Sequence, residues 1–416
     1  MFAKTLEAIQ SSEPKRAVYA RVLVATLAIG VALKAFWFAR LGFWHHRGLV
    51  DFDTFHIIAR RVWLGDADLA YQFEKLINMQ REVSDGLDSF MPWTYPPQFD
   101  LLLAPFALVP VGVAYFLFTA LTLAFFLVVL RSVAGSHFAL ALIVLFPAMQ
   151  VTLTCGQNGF LTAGLIGLVC LFIEERPIVA GLALGLMVIK PHLAIAFAVY
   201  AILTRRWTVV MTAAAVVLAS SLLCTAVFGP QIWTALLQSV HDSAIFLERG
   251  YYPLYRMISF YAALRTTGLS ASVAFFGQAA VAALALGTMA LAWYRQLPAR
   301  WCLGLTAMVS ISISPYAYDY DFPIFGIGLA MLLPELQRLA REGGRTFIYI
   351  APMTIGAYGS LVAARLGMSH PDIEFLDVPS VGGFVVVSLI ALIFTIMLRS
   401  AKPEAAQDFR MSAERV

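Results

Sequence analysis

Lys190-Pro191-His192 interrupts an apolar run, with Leu184 to Ile189 on one side and Leu193 to Val199 on the other. An ammonium left at the centre of a membrane helix costs about 2.5–3.5 kcal/mol, so Lys190 must either snorkel to the interface or find an anion. Proline at the next position breaks the helix and opens a way in. The sharper of the two readings is that Lys190, helped by His192, binds the phosphate of a lipid embedded in the membrane.

A second acid-bearing stretch lies far upstream. Gly48-Leu49-Val50-Asp51-Phe52-Asp53-Thr54 precedes Phe55, Ile58, Ala59, Val62 and Trp63, an apolar stripe of helical period that predicts an amphipathic helix on the membrane surface. Asp53 or Thr54 suits its N-cap. Asp51 is then either an acid without an evident structural duty, held at the membrane–water boundary, or a partner of the helix dipole. Pro92-Trp93-Thr94-Tyr95-Pro96-Pro97 fixes an extended entry to the next apolar run. Trp93 and Tyr95 are interfacial anchors or the wall of a sugar or headgroup pocket. The amides of Gln157 and Asn158, in Cys155-Gly156-Gln157-Asn158-Gly159, are a polar hairpin tip or partners for sugar hydroxyls. Tyr316, Asp319, Tyr320 and Asp321 crowd one turn, 314–321, which is an interfacial belt capped by Asp321 or the acceptor side of a pocket.

The elements that must hold these residues are apolar. Of 416 residues 60% are hydrophobic and 13% charged, with a mean hydropathy of +0.79, too apolar for a soluble surface. Candidate spans are 17–38, 99–130 (broken at Pro105 and Pro110), 137–153, 160–173, 178–203 (broken at Pro191), 209–228, 272–293, 303–313, 322–333, 347–364 and 382–398. They predict one all-α transmembrane bundle, residues 1–399, of about 12 segments, with a tail at 400–416. Basic clusters at Arg205-Arg206, Arg295 with Arg300, Arg338 to Arg345, and Arg399 with Lys402 put both termini in the cytoplasm. Loops 40–97 and 229–271 then face outward, the first carrying short amphipathic helices. The dispersed charge, net +4, leaves no nucleic-acid footprint. Cys155, Cys170, Cys224 and Cys302 are scattered, without a CxxC pair or histidines at metal-ligand spacing, so neither a disulfide framework nor a metal site is expected. No Walker loop, zincin helix or nucleophile elbow occurs.

The order of these motifs carries a resemblance. Asp51-Phe52, Gly65 before Tyr71, Tyr95-Pro96-Pro97 with Pro105 and Pro110, Gly156-Gln157-Asn158, Ala180-Gly181-x3-Gly185 with Lys190-Pro191, and Ser314-Pro315-Tyr316 with Asp319-Tyr320-Asp321 resemble glycosyltransferase family 87, in its proteobacterial branch. The resemblance runs over about residues 15–335. It implies a membrane enzyme of the GT-C type in a bacterial inner membrane. Such an enzyme passes a hexose, usually mannose, from a polyprenyl-phosphate carrier to a lipid or glycan hydroxyl on the periplasmic face, with inversion and with Asp51 as general base, Asp53 being the reserve candidate. A donor already activated as a lipid phosphate needs no cofactor or metal clamp. Two other classes remain open: a flippase or transporter for lipid-linked sugars, and a polysaccharide ligase using His241, Arg249, Arg256 and Arg265 of the second loop.

Overall fold

The computed structural model describes residues 2–41, 48–87, 89–367 and 375–400; the expected tail, beyond Ser400, lies outside them. Helices make up 83% of the structure, and no strand occurs among the described residues. Lipid offers backbone amides no partner, so each segment must satisfy its own. Six helical stretches are long and apolar enough to cross a membrane, which makes the chain a membrane protein.

The chain opens with α1 (Phe2–Gln10) and α2 (Glu13–Leu41). The first loop then folds α3 (Asp51–Leu64) and α4 (Phe73–Val83). The span expected from residue 99 is corrected. Here α5 (Pro97–Leu103) runs into a 3-10 stretch, Ala104–Leu108, and both pack against α3. The membrane helix α6 (Val111–Ala134) starts only after Pro110. Pro105 and Pro110 lack the N–H that a continuous helix requires, and Val109 is extended between them (φ −128°, ψ 156°).

One apolar helical stretch, Val111–Cys155, has 45 residues, too many for one crossing of a core about 30 Å thick. Gly135 turns the chain at φ 54°, and α7 (Phe138–Cys155) runs back. The Tyr115 hydroxyl near the start of α6 donates to Leu153 O near the end of α7 at 2.7 Å, which fixes the pair as antiparallel. After α8 (Gly159–Phe172), α9 (Pro177–Leu186) and α10 (Ile195–Leu203) flank Lys190-Pro191. Glu174, ahead of α9, is ion-paired with Arg206, behind α10. Both ends of this segment therefore lie together, and Lys190 is at the tip of a hairpin that goes in and returns. Each arm is only about 15 Å long at 1.5 Å per residue, half a bilayer core. Along α9, Gly181 and Gly185 admit α11 (Trp207–Phe228): a Cβ on either would stand 2.6 Å from Cβ of Thr212 or Val216.

The second loop holds α12 (Gln231–Arg249) and α13 (Phe260–Arg265), and α14 (Ala271–Tyr294) follows. A second hairpin joins α15 (Ala299–Ser310) to α16 (Pro323–Leu339), packed so closely that a Cβ on Gly328 would sit 2.3 Å from Gly304 O. Its turn, 314–321, meets the Lys190 tip. The chain closes with α17 (Glu342–Gly367) and α18 (Gly382–Ser400).

The hairpin at Lys190 is tested by labelling. In a background without native cysteines, single cysteines at Glu175 and Arg205 should react with a membrane-impermeant thiol reagent from the same face, and one at Gln238 from the other. Labelling of the first two from opposite faces would mean that 177–203 crosses once.

Candidate active site

The first turn of α3 starts three or four residues earlier than its apolar stripe suggests. Val50 is the N-cap and Asp51 the first helical residue. Asp53, fully buried, reaches back so that its Oδ2 accepts the Val50 N–H at 2.9 Å, which corrects the expected N-cap at Asp53 or Thr54. The side chain of Thr54 is instead buried, its hydroxyl 3.3 Å from Gln80 Nε2. Phe52 through Ala59 are all buried, because α5 and the 3-10 stretch cover the helix from the far side. The expected helix lying flat on a membrane is thus a packed element. Only its last turn presents Trp63 outward, with the indole N–H donating to Ala104 O at 2.7 Å.

Asp51 is held from across the molecule. Gln157 Nε2 donates to Asp51 Oδ1 at 2.7 Å, and Gln157 Oε1 accepts from the Tyr95 hydroxyl at 3.0 Å and from the Asn158 backbone N–H at 3.2 Å. A backbone amide can only donate, so the orientation of the Gln157 amide is determined. Burial pushes Tyr95 up to about 12 despite the neighbouring Lys190, which keeps its hydroxyl protonated as a donor. The second oxygen of Asp51 accepts nothing among the described residues and is not buried.

Tyr95 owes its place to a buried carboxyl. Trp93 Nε1 donates to Asp100 Oδ1 at 3.0 Å, and the Tyr71 hydroxyl lies 2.9 Å from Asp100 Oδ2 and 2.8 Å from Tyr95 O. One hydroxyl proton cannot serve two acceptors. The count closes if Asp100 is protonated and donates to Tyr71, in line with burial raising its carboxyl well above the usual range. Trp93, 2% exposed, therefore braces the segment from behind.

The turn carrying Gln157 is pinched on both sides. A Cβ on Gly156, which is left-handed at φ 67°, would stand 2.6 Å from Phe52 Cβ, and a Cβ on Gly159 would stand 1.9 Å from Tyr320 O. Thr152 Oγ1 adds a hydrogen bond to Tyr320 O at 3.1 Å. On either side of Tyr320 the acids diverge. Asp321 Oδ1 accepts from Lys190 Nζ at 2.7 Å, with both side chains buried. Asp319 accepts from Arg256 through Nε at 3.2 Å and Nη2 at 2.9 Å. The Tyr320 ring has Lys190 Nζ 4.9 Å and Arg256 Cζ 5.7 Å from its centroid, and stacks on Tyr318 at 5.0 Å.

Asp51, Tyr95, Gln157, Lys190, Asp319, Tyr320 and Asp321 thus form one cluster. His192 is half-buried within electrostatic reach of Asp321 and Lys190. Tyr316 turns away against Tyr252, centroids 5.8 Å apart, with its hydroxyl buried and without a partner among the described residues. Asn158 is fully buried, and neither atom of its side-chain amide has a partner among the described residues. Arg256 is the member not foreseen as part of this cluster. Its signal was arithmetic: one intramembrane lysine cannot satisfy two buried acids in a single turn. Beside it, a cavity of about 460 Å³ is lined by Phe90, Cys155, Tyr251, Tyr255, Arg256 and Phe375 among others.

Lys190 is therefore satisfied without lipid. Removing one partner of a buried pair costs about 3–5 kcal/mol, so Lys190→Met should lower thermal stability in detergent markedly, and adding Asp321→Leu should restore most of it. Unchanged melting of Lys190→Met alone would refute the buried pair.

No curated protein and no solved structure matches the chain. The family model of glycosyltransferase family 87 matches residues 93–315, which include Tyr95, Gln157, Lys190 and Arg256; Asp319 to Asp321 lie just beyond its end, and Asp51 lies well before its start. That match spans more than half of the chain and agrees with the motifs read from the sequence: the chain belongs to glycosyltransferase family 87.

Proposed function

We propose that this glycosyltransferase moves a hexose, mannose by the family resemblance, from a polyprenyl-phosphate carrier to a hydroxyl acceptor, with inversion and with Asp51 as base. The observation that supports it most is the hold on Asp51: one oxygen is fixed by Gln157, and the other is left available. In the reaction the free oxygen takes the acceptor's proton while the acceptor oxygen bonds to the anomeric carbon. The bond from that carbon to the phosphate oxygen breaks, and the phosphate leaves with the electron pair. Gln157 positions Asp51 and keeps it from turning into the helix dipole.

Tyr95, Tyr320 and the acids beside it form the polar wall for sugar or acceptor hydroxyls; Trp93, Asn158 and Tyr316 support that wall from behind. Lys190 and His192 lie on the donor side in this reading. Lys190 reaches a phosphate only by parting from Asp321, so its first duty is to hold the Tyr320 turn.

The bundle is read as GT-C in type with about 12 membrane segments, counting the arms of the two hairpins. Arg206 pairs with Glu174, Arg300 donates to Val133 O and Met331 O, and Arg345 pairs with Glu7. These basic groups gather at the end opposite Asp51, which supports cytoplasmic termini and a site facing the periplasm of a bacterial inner membrane.

In membranes supplied with polyprenyl-phosphate hexose and acceptor, Asp51→Asn should transfer about 10²–10⁴ times more slowly at unchanged protein level. Asp53→Asn should act on stability first, by roughly 0.5–2 kcal/mol as a capping loss. Wild-type transfer by Asp51→Asn would remove it as the base.

A further inference from the structure

Asp100 lies in α5, fully buried behind the cluster. Among the described residues no cation pairs with it; its bonds go to Trp93 and to the hydroxyl of Tyr71, the last residue of a 3-10 turn, Ala67–Tyr71. These atoms leave one assignment of protons. The Trp93 indole N–H only donates, so Asp100 Oδ1 is an acceptor. Tyr71 has a single proton, and its oxygen lies 2.9 Å from Asp100 Oδ2 and 2.8 Å from Tyr95 O. A carboxylate at Asp100 would claim that proton and leave the Tyr71 oxygen facing the Tyr95 carbonyl with no hydrogen between them. A carboxylic acid gives its own proton to Tyr71, whose hydrogen then goes to Tyr95 O. Burial favours the same form, raising the Asp100 carboxyl well above its usual range, and it holds the Tyr71 hydroxyl protonated as well.

The stretch held in this way is the one that reaches Asp51. Residues 91–96 have no regular secondary structure, so their buried carbonyls need partners from elsewhere. Met91 O accepts from Gln80 of α4, Trp93 O from Ser239 of α12, and Tyr95 O from Tyr71. From that backbone the Tyr95 side chain extends to Gln157, donating to its Oε1 at 3.0 Å, and Gln157 Nε2 donates to Asp51 Oδ1 at 2.7 Å. No proton can travel this route, because it enters Tyr95 at the carbonyl and leaves from the phenol. What it transmits is position.

We propose that Asp100, as a carboxylic acid, is a positioning residue for the Asp51 site: through Tyr71 it fixes the Tyr95 backbone, and with it the Gln157 amide that holds Asp51. An effect on transfer rests on the reading of Asp51 as base; the hold on Tyr95 does not. One atom that accepts and one that donates is also the pattern of an asparagine amide. The two acids should therefore answer the same change in opposite ways, since Asp51→Asn removes a base whereas Asp100→Asn keeps every hydrogen bond.

The test uses the purified full-length protein in nanodiscs, with fluorotyrosine at position 95 read by fluorine NMR, beside transfer kinetics of the unlabelled protein. Asp100→Asn should keep the wild-type resonance and rate. Asp100→Leu should shift the resonance and lower kcat about tenfold or more through misplacement of the base, with KM unchanged because a fully buried side chain cannot touch substrate. Tyr71→Phe removes only the linking hydroxyl and should do the same if Asp100→Leu fails to fold. Equal losses in Asp100→Asn and Asp100→Leu would mean that the carboxylate is required and would overturn the proposal. A wild-type resonance and rate per folded molecule in Asp100→Leu or Tyr71→Phe would overturn it too, whatever the yield. The two readings fail separately. If wild type transfers nothing while the resonance still follows Asp100, the transferase reading alone is lost; if wild type transfers and Asp100→Leu moves neither resonance nor rate, the Asp100 role alone is lost.

Discussion

The turn between α7 and α8 has no space for a methyl group on either side, and the cluster around it is arranged by that constraint. Gly156 lets the start of α3 lie against the turn, and Gly159 lets the Tyr320 carbonyl approach from the opposite direction. Between these glycines Gln157 has one geometry available, with its carbonyl taken by Tyr95 and Asn158 and its amine turned to Asp51. Three stretches distant in sequence are thereby set in register, and the carboxylate of Asp51 is fixed at one oxygen while the other stays open.

Charge then locks what the glycines admit. The two acids flanking Tyr320 reach in opposite directions, Asp319 to the second loop through Arg256 and Asp321 to the hairpin tip through Lys190. Buried pairs of this kind add little net stability, yet breaking one leaves an uncompensated charge at a cost of several kcal/mol. They therefore act as a register device: the 314–321 turn fits only where both cations wait for it. Among the described residues both cations of the cluster are paired with these acids, and neither is paired with Asp51.

Much of the frame was legible because bilayer thickness and apolar length leave few choices. Spans near α2, α7, α8, α11, α14, α17 and α18 can be read within a few residues, and Asp51 and Lys190 stand out as charges beside or within apolar runs. What could not be read has physical reasons. The helix α12 hides because Ser239 and Ser243 occupy its buried face, and Ser239 is spent on the Trp93 carbonyl. The stretch 97–108 is as apolar as a span but is packed against α3, and composition does not distinguish the two burials. The pairing of Lys190 with Asp321, 131 residues away, and the arrival of Arg256 beside Asp319 depend on folding of distant loops. Nothing local announces such pairs.

The claim on which the account stands is that the α7–α8 turn, by direct contact with Tyr320, holds the acids and Asp51 in one working geometry. The most direct measurement is transfer by Gly159→Ala, purified at wild-type yield and assayed with saturating donor and acceptor. The added methyl group must displace the Tyr320 turn. The account predicts a rate at least tenfold lower with the fold retained, and a wild-type rate would contradict it.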